Sequence, residues 1–180
     1  PLVAIDRDLR GLHPLGSVCS DHRTGIRAAM EALHEAGHQH AALIGGLATL
    51  RPGRQRAGAV RRAARALGMR CTVRVAEGFA GPRADDVVAL LRQPERPTAL
   101  IVGNNQVLGV VLEALETVGL TCPADISLVT CDEVPLLRYF QPRIATVRRD
   151  PRRLGEASAR MLVDHLSGAP YIKARTGAKI

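Results

Sequence analysis

Several apolar runs in the sequence end at side chains that ionise or make paired hydrogen bonds. These side chains are Asp6, Glu77, Asn104, Asn105, Asp132 and Glu133, and a loop after the Gly45–Gly46 turn adds Arg51, Arg54 and Arg56. Carboxylates, amides and guanidinium groups can each bind two neighbouring hydroxyl groups at once. Any one of these residues is explained by the polar character of loops. The set together predicts a pocket for a polyhydroxylated small molecule.

The sequence lacks the motifs of common enzymes and metal sites. It contains no G-x-S-x-G elbow, no G-x-x-x-x-G-K-[ST] phosphate loop and no G-x-G-x-x-G fingerprint. The histidines of the segment HEAGHQH are close together, but Gly37 ends the predicted helix between them and no cysteine is near. Three other histidines are predicted to be surface or capping residues: His13, His22 and His165. We therefore expect no enzyme, no cofactor and no metal.

The composition excludes several further classes of protein. Hydrophobic residues make up 46% of the chain and charged residues 23%, which is typical of a globular protein. The net charge of +8 comes from arginines spread along the chain, and the aromatic content of 2% leaves no stacking platforms for single-stranded nucleic acid. No apolar run is long enough to cross a membrane. The four scattered cysteines favour free thiols, and hence a cytoplasmic location.

Short apolar runs alternate with amphipathic segments about six times. The predicted strands are LVAID, HAALIGG, CTVRVAEG, TALIVG, DISLVTCD and IATV. Gly37, Gly68 and Gly119 end three of the intervening helices, and Asp150 with Pro151 begins the last. This alternation predicts an α/β fold with three αβα layers around a mostly parallel sheet. Such sheets bind ligands beyond the carboxyl ends of their strands, where the polar residues lie.

Two adjacent amides follow the strand TALIVG, and each is assigned its own function. Asn104 is predicted to face the pocket as a ligand contact, and Asn105 to cap a helix that begins at Gln106. We therefore expect Asn104→Ala and Asp132→Ala to weaken ligand binding with little change in melting temperature.

Four segments carry an ordered set of residues that covers nearly all of positions 1–170. They are PLVAIDRD, SVCSDHRTGIRAAMEALHEAGHQHAALIGG, PTALIVGNNQVLGVVLEALETVGLTCPADISLVTCDE and QPRIATVRRDPRRLGEASARMLVDHLSG. In this order they resemble the effector-binding region of the lactose/galactose-repressor (LacI/GalR-type) family of bacterial transcription regulators. The first is similar to the family's P-V-V-x-I-D-R strand, and the last to its P-x-L-T-T-V strand and closing helix.

The resemblance implies the fold of periplasmic sugar-binding proteins, in which two α/β lobes enclose the ligand. Residues 1–20 and 144–167 would be parts of the N-terminal lobe, and residues 21–143 would form the C-terminal lobe. Residues 168–180 would be a tail that returns to the C-terminal lobe. The DNA-binding helix-turn-helix and the first half of the N-terminal lobe are expected to lie outside this sequence.

The resemblance also implies the ligand contacts. Asp6, Asn104 and Asp132 match the family's cleft residues, and an arginine clamps the ligand. Arg54 or Arg56 fits that position, and Arg54 is favoured. Two departures alter the pocket: Asn105 replaces an aspartate, and Cys131 replaces an aromatic residue. We therefore expect an effector that differs from a simple hexose.

The implied function is ligand-controlled repression of transcription. A small polar effector, a sugar or a related metabolite, would change the affinity of a homodimer for operator DNA through the upstream helix-turn-helix, with no membrane partner. A solute-binding protein of a sugar transport system has the same fold and is the alternative. A small α/β enzyme with an unrecognised site is the third hypothesis.

Overall fold

A computed structural model describes residues 1–9, 11, 13–76 and 81–168 of the chain. Glu77 and the predicted tail from residue 169 onward lie outside these residues. The strands are β1 (Val3–Ile5), β2 (Gly16–Val18), β3 (His40–Leu47), β4 (Arg70–Ala76), β5 (Ala99–Val102), β6 (Ser127–Cys131) and β7 (Ala145–Val147). The helices are α1 (His22–Glu35), α2 (Arg51–Leu67), α3 (Ala84–Leu91), α4 (Asn105–Val118) and α5 (Pro151–Leu166), with a 3₁₀ helix at Pro135–Tyr139.

The strands form two parallel sheets. The larger has the order β4-β3-β5-β6-β7, and the smaller pairs β1 with β2. Strand order reverses at β3, which has β4 on one side and β5 on the other. The predicted α/β class with a parallel sheet is confirmed. The carboxyl ends of β3 and β5 form the switch point where a sheet of this kind opens a crevice for ligands.

Helices cover both faces of the larger sheet. In β5, Ile101 packs with α1 and α2 on one face, and Leu100 packs with α3 and α4 on the other. Successive side chains of a strand point to opposite faces, so a fully apolar strand between two helical layers is buried on both sides. All four residues of β5 are buried. The predicted three-layer arrangement follows from this burial.

The helix ends predicted at Gly68, Gly119 and Asp150 are present. Gly68 and Gly119 have left-handed φ values of 67° and 72° where α2 and α4 end. The Asp150 carboxylate accepts a hydrogen bond from the Arg153 amide at 3.0 Å, and Pro151 is the first residue of α5. The strand β2 was not predicted, because three residues that begin Gly-Ser show no apolar alternation.

The smaller sheet and α5 form the second body of the molecule. Helix α5 packs on β1 and β2. The structure differs from the expected boundary at residue 144, because β7 pairs with β6 in the larger sheet. The chain leaves that sheet only after Val147. The sequence did not predict this boundary, because a short apolar strand does not itself specify which sheet it joins. No helix in the described ranges is long and apolar enough to cross a membrane.

Candidate ligand-binding site

Two aspartates mark the carboxyl ends of strands from the two different sheets. Asp6 follows β1 and Asp132 follows β6, and they are the non-glycine residues with positive φ in the described part of the chain, at 50° and 79°. The Asp6 amide donates to the Val18 carbonyl at 3.0 Å, and the Asp132 amide to the Val147 carbonyl at 3.2 Å. A left-handed aspartate costs on the order of 1 kcal/mol. These backbone hydrogen bonds to neighbouring strands therefore hold both aspartates in a strained backbone conformation, which fixes the direction in which each side chain leaves the strand end.

Asp6 is a buried, ionised carboxylate. Its side chain is 4% exposed, and it accepts hydrogen bonds from the Ser20 amide at 2.7 Å and the Ser20 hydroxyl at 2.6 Å. Burial acts to raise the pKa of Asp6, but the Ser20 bonds, followed by the charges of His22 and Arg149, bring it below its ordinary value. His22 contributes a charge here because it is protonated at the acidic pH where Asp6 titrates. The carboxylate is therefore charged at neutral pH.

Arg149 connects the two aspartates. Its Nε donates to Asp132 Oδ1 at 2.6 Å, and its Nη1 donates to Asp6 Oδ2 at 3.4 Å. Arg149 lies between β7 and α5, where the chain leaves the larger sheet for the helix that packs on the smaller one. Sequence reasoning missed this residue, since its only signal is an arginine pair next to the predicted start of the last helix.

Arg56 and Arg54 have different surroundings. Arg56 is 7% exposed and its Nη2 lies 3.6 Å from Asp132 Oδ1, while its Nε has no hydrogen-bond partner among the described residues. Arg54 is exposed, donates to the Thr49 carbonyl at 2.6 Å, and pairs with Asp8. The structure therefore brings Arg56, and not the favoured Arg54, to the carboxylate of Asp132.

The assignment of the two asparagines needs a correction. Asn104 is the N-cap of α4, with its Oδ1 accepting from the Val107 amide at 2.9 Å, and the helix begins at Asn105. The prediction that Asn105 caps the helix was wrong, because the extended backbone that an N-cap requires occurs one residue earlier. The Asn104 amide nitrogen lies over Gly46, where an added Cβ would be 2.8 Å from it. Asn105 is exposed.

His22, expected to be a surface or capping residue, is a buried member of the site. It is 6% exposed, and its Nε2 has no hydrogen-bond partner in the described part of the chain. Burial, followed by the positive charge of Arg56, lowers the pKa of His22 to about 4. The imidazole is therefore neutral at ordinary pH, beside the charged groups of Asp6, Asp132 and Arg149.

His38 and His40 of the segment HEAGHQH lie at the opposite end of the sheet, whereas His34 is in the last turn of α1. His38 bridges the Thr98 and Ser127 hydroxyls at 2.8 and 2.9 Å, and His40 contacts the Glu95 carbonyl at 3.1 Å and the Thr72 hydroxyl at 3.0 Å. No group of three metal-binding side chains occurs in residues 1–9, 11, 13–76 and 81–168. His38 and His40 therefore join neighbouring strands at their amino ends.

A cavity of about 680 Å³ opens beside Asp132 and Arg149. Asn105 also lines it, so the ends of β5 and β6 meet there. Its remaining polar wall is mostly arginine: Arg138, Arg143 and Arg148. The volume is in the range of small-molecule sites.

Comparisons with known proteins identify the family. The family described as "Periplasmic binding protein-like domain" matches residues 30–177. The HTH-type transcriptional repressor PurR of Proteus mirabilis is 38% identical over 77 residues, which is 43% of this chain and 23% of that protein. The chain thus matches about a quarter of the length of this curated relative.

Solved structures agree over almost the whole chain. A protein named as a ribose operon repressor of Burkholderia thailandensis is 32% identical with a TM-score of 0.79, over 94% of this chain and 63% of that one. A LacI family regulator of Arthrobacter sp. FB24 in complex with lactose is 26% identical with a TM-score of 0.79, over 98% and 65%. This chain belongs to the periplasmic binding protein-like domain family, as an effector-binding region of the lactose/galactose-repressor type.

Proposed function

We propose that this chain senses a small polar, sugar-like effector and controls the binding of a bacterial repressor dimer to operator DNA. DNA contact is made by a helix-turn-helix segment outside this chain, in the cytoplasm where operator DNA is found. The relatives named above are repressors, so we propose that the chain has no catalytic activity. The shared fold leaves a solute-binding protein as the alternative, which those relatives do not favour.

The meeting of Asp6, Asp132 and Arg56 is the observation that carries the proposal. One carboxylate comes from each sheet, and a buried guanidinium stands beside Asp132 with its Nε free of any partner among the described residues. A buried donor without an acceptor is costly, about 1–3 kcal/mol. A ligand that supplies acceptors here would recover that free energy. Arg56 is therefore the arginine that we propose as the ligand clamp, and Asn104, the N-cap of α4 just after β5, is proposed as a further ligand contact.

Coupling to DNA follows from the position of the site. The ligand would contact groups on both the larger and the smaller sheet, so its affinity differs between arrangements of the two bodies. A ligand shifts an equilibrium only by such a difference in affinity. The bridge from Arg149 to Asp6 and Asp132 supports this mechanism, because it is a contact that a ligand would compete with.

The homodimer is supported by apolar exposure on the 3₁₀ helix. Leu136 is 64% exposed and Tyr139 is 75% exposed. Two large apolar side chains on one short turn favour burial against a second subunit. Leu136→Asp should then shift the protein from dimer to monomer in sedimentation experiments.

Thermal stability in the presence of small polar metabolites tests the effector site. Free ligand at 100 times its Kd should stabilise the native state by about 2.7 kcal/mol. Arg56→Met should abolish that shift, and Arg54→Met should preserve it. Asp132→Asn should also weaken the shift, which provides a second variant if Arg56→Met does not fold. A ligand whose affinity survives both Arg56→Met and Asp132→Asn would disprove the assignment of the site.

A further inference from the structure

The charges of the site are already balanced among its own side chains. Asp6 and Asp132 face two guanidinium groups, Arg56 and Arg149, so the four charges sum to zero. Asp6 also accepts two bonds from Ser20, which leaves it little capacity for a ligand. Hydroxyl groups of a ligand would therefore have to displace Arg149 to reach the Asp6 carboxylate.

The charges of the site are balanced, but its hydrogen-bond donors and acceptors are not. Arg56 is 93% buried, since 7% of it is exposed, and its buried Nε has no hydrogen bond to a described residue. Its nearest charged atom is Asp132 Oδ1 at 3.6 Å, and the Arg149 Nε already donates to that oxygen. The site therefore has one buried donor, the Arg56 Nε, without an acceptor among the described residues.

The adjoining cavity adds positive charge. Arg148 is paired with Glu133 at 2.7 Å. Arg138 and Arg143 line the same cavity and have no ion pair with any residue that the structure describes. Asn105, also in the lining, is neutral. The cavity and the site together hold a surplus of two positive charges, from Arg138 and Arg143.

We infer that the effector of the proposed regulator carries an oxyanion, a carboxylate or a phosphate, which binds among Arg149, Arg138 and Arg143. This rests on the proposed ligand-binding function and specifies the ligand class. A neutral polyol brings as many donors as acceptors and leaves the charge of the two free arginines unchanged. An oxyanion brings acceptors alone together with negative charge, and arginine binds such groups through two parallel hydrogen bonds.

Matched ligands test the inference. Melting temperature is measured with D-ribose, D-ribonate, D-ribose 5-phosphate, acetate and inorganic phosphate, all at one ionic strength in chloride buffer. We expect the carboxylates or the phosphates to bind at least tenfold more tightly than D-ribose. A preference for ribonate and acetate indicates a carboxylate effector, and a preference for ribose 5-phosphate and phosphate indicates a phosphate ester.

A pair of double variants separates the cavity from general effects of anions. Arg138→Gln with Arg143→Gln removes two exposed cavity charges, and Arg61→Gln with Arg65→Gln removes two exposed charges from α2. Both variants change the net charge equally. The anion-dependent shift should be lost in the first variant and kept in the second. An equal loss in both would mean that the anions act on overall charge, and would overturn the inference.

The outcomes also separate this inference from the proposed function. If D-ribose stabilises the protein and the anions do not, the oxyanion inference is overturned and the sensing function stands. If neither the neutral sugar nor any anion changes the melting temperature, both are overturned. If an anion stabilises wild type but also the Arg138 and Arg143 double variant, the site stands and this cavity is not where the oxyanion binds.

Discussion

Arg149 and Asp6 are 143 positions apart in the chain and form an ion pair at 3.4 Å across the two sheets. The same guanidinium donates to Asp132 at 2.6 Å. One side chain thus connects the carboxyl ends of β1 and β6. Because Arg149 lies where the chain passes from β7 to α5, it links the two sheets and is also part of the site.

Loss of this link should lower stability. Arg149→Met removes two charge-assisted hydrogen bonds and leaves the buried Asp6 carboxylate with Ser20 as its partner. The Arg149 side chain is 39% exposed, so solvent screening limits the loss to about 1–2 kcal/mol in the free energy of unfolding. Urea denaturation measures it. Arg152→Met, which removes an exposed pair with Glu156, should change stability by less than about 0.5 kcal/mol.

The two asparagines should respond differently to substitution. Because Asn104 caps α4, Asn104→Ala should destabilise the protein by about 1 kcal/mol, and not leave the melting temperature nearly unchanged as the sequence suggested. Asn104→Asp keeps the acceptor and most of the stability. Asn105→Ala should be nearly neutral, because the side chain is exposed and makes no described bond. Thermal denaturation of the three variants checks this order. A larger loss for Asn105→Ala would mean that the helix begins one residue later.

Most of the fold was predictable because its signals are local. Apolar runs of four to eight residues, glycines at helix ends and the Asp150–Pro151 start of α5 each depend on neighbouring positions alone. The strand β2 depends instead on its pairing with β1. The boundary after Val147 likewise depends on which strand β7 meets, and no local pattern contains that information.

The site was predictable in its location but not in its contacts. Strand ends placed Asp6 and Asp132, yet their connection by Arg149 requires both sheets to be in place. Helix α2 begins at Arg51, earlier than the expected loop allowed. Arg54 and Arg56 are therefore about 200° apart around the helix axis. One of them must face solvent when the other is buried, and only the packed helix decides which.

Two glycines within helices provide a matched test of packing. A Cβ at Gly53 in α2 would lie 2.2 Å from the backbone oxygen of Leu47, whereas a Cβ at Gly109 in α4 would meet nothing within 4 Å. Gly53→Ala should destabilise the protein by about 2 kcal/mol or more, because backbone must move. Gly109→Ala should stabilise it by about 0.5–1 kcal/mol, since alanine favours the helix. Chemical denaturation compares the two, and losses of similar size would contradict the close approach of α2 to β3.

The neutral His22 should make stability depend on pH. Its pKa is about 4 in the folded protein, below the ordinary value of 6.5. The unfolded chain therefore takes up the proton first as the pH falls. Stability from this residue is fully present above pH 6.5, is lost between pH 6.5 and about 4, and changes no further below that. At about 1.4 kcal/mol per pKa unit, the loss is on the order of 3 kcal/mol.

Unfolding measured between pH 7 and pH 4.5 isolates this effect of His22. Burial, followed by the charge of Arg70, also lowers the pKa of His40, so part of the slope should remain in His22→Gln. The pKa of Asp6 lies below its ordinary value, and its contribution is therefore lost only at more acidic pH. His22→Gln should flatten the pH dependence, and His40→Gln should flatten it less. An unchanged slope in His22→Gln would show that the imidazole reaches solvent, and that Arg56 is not held beside a neutral ring.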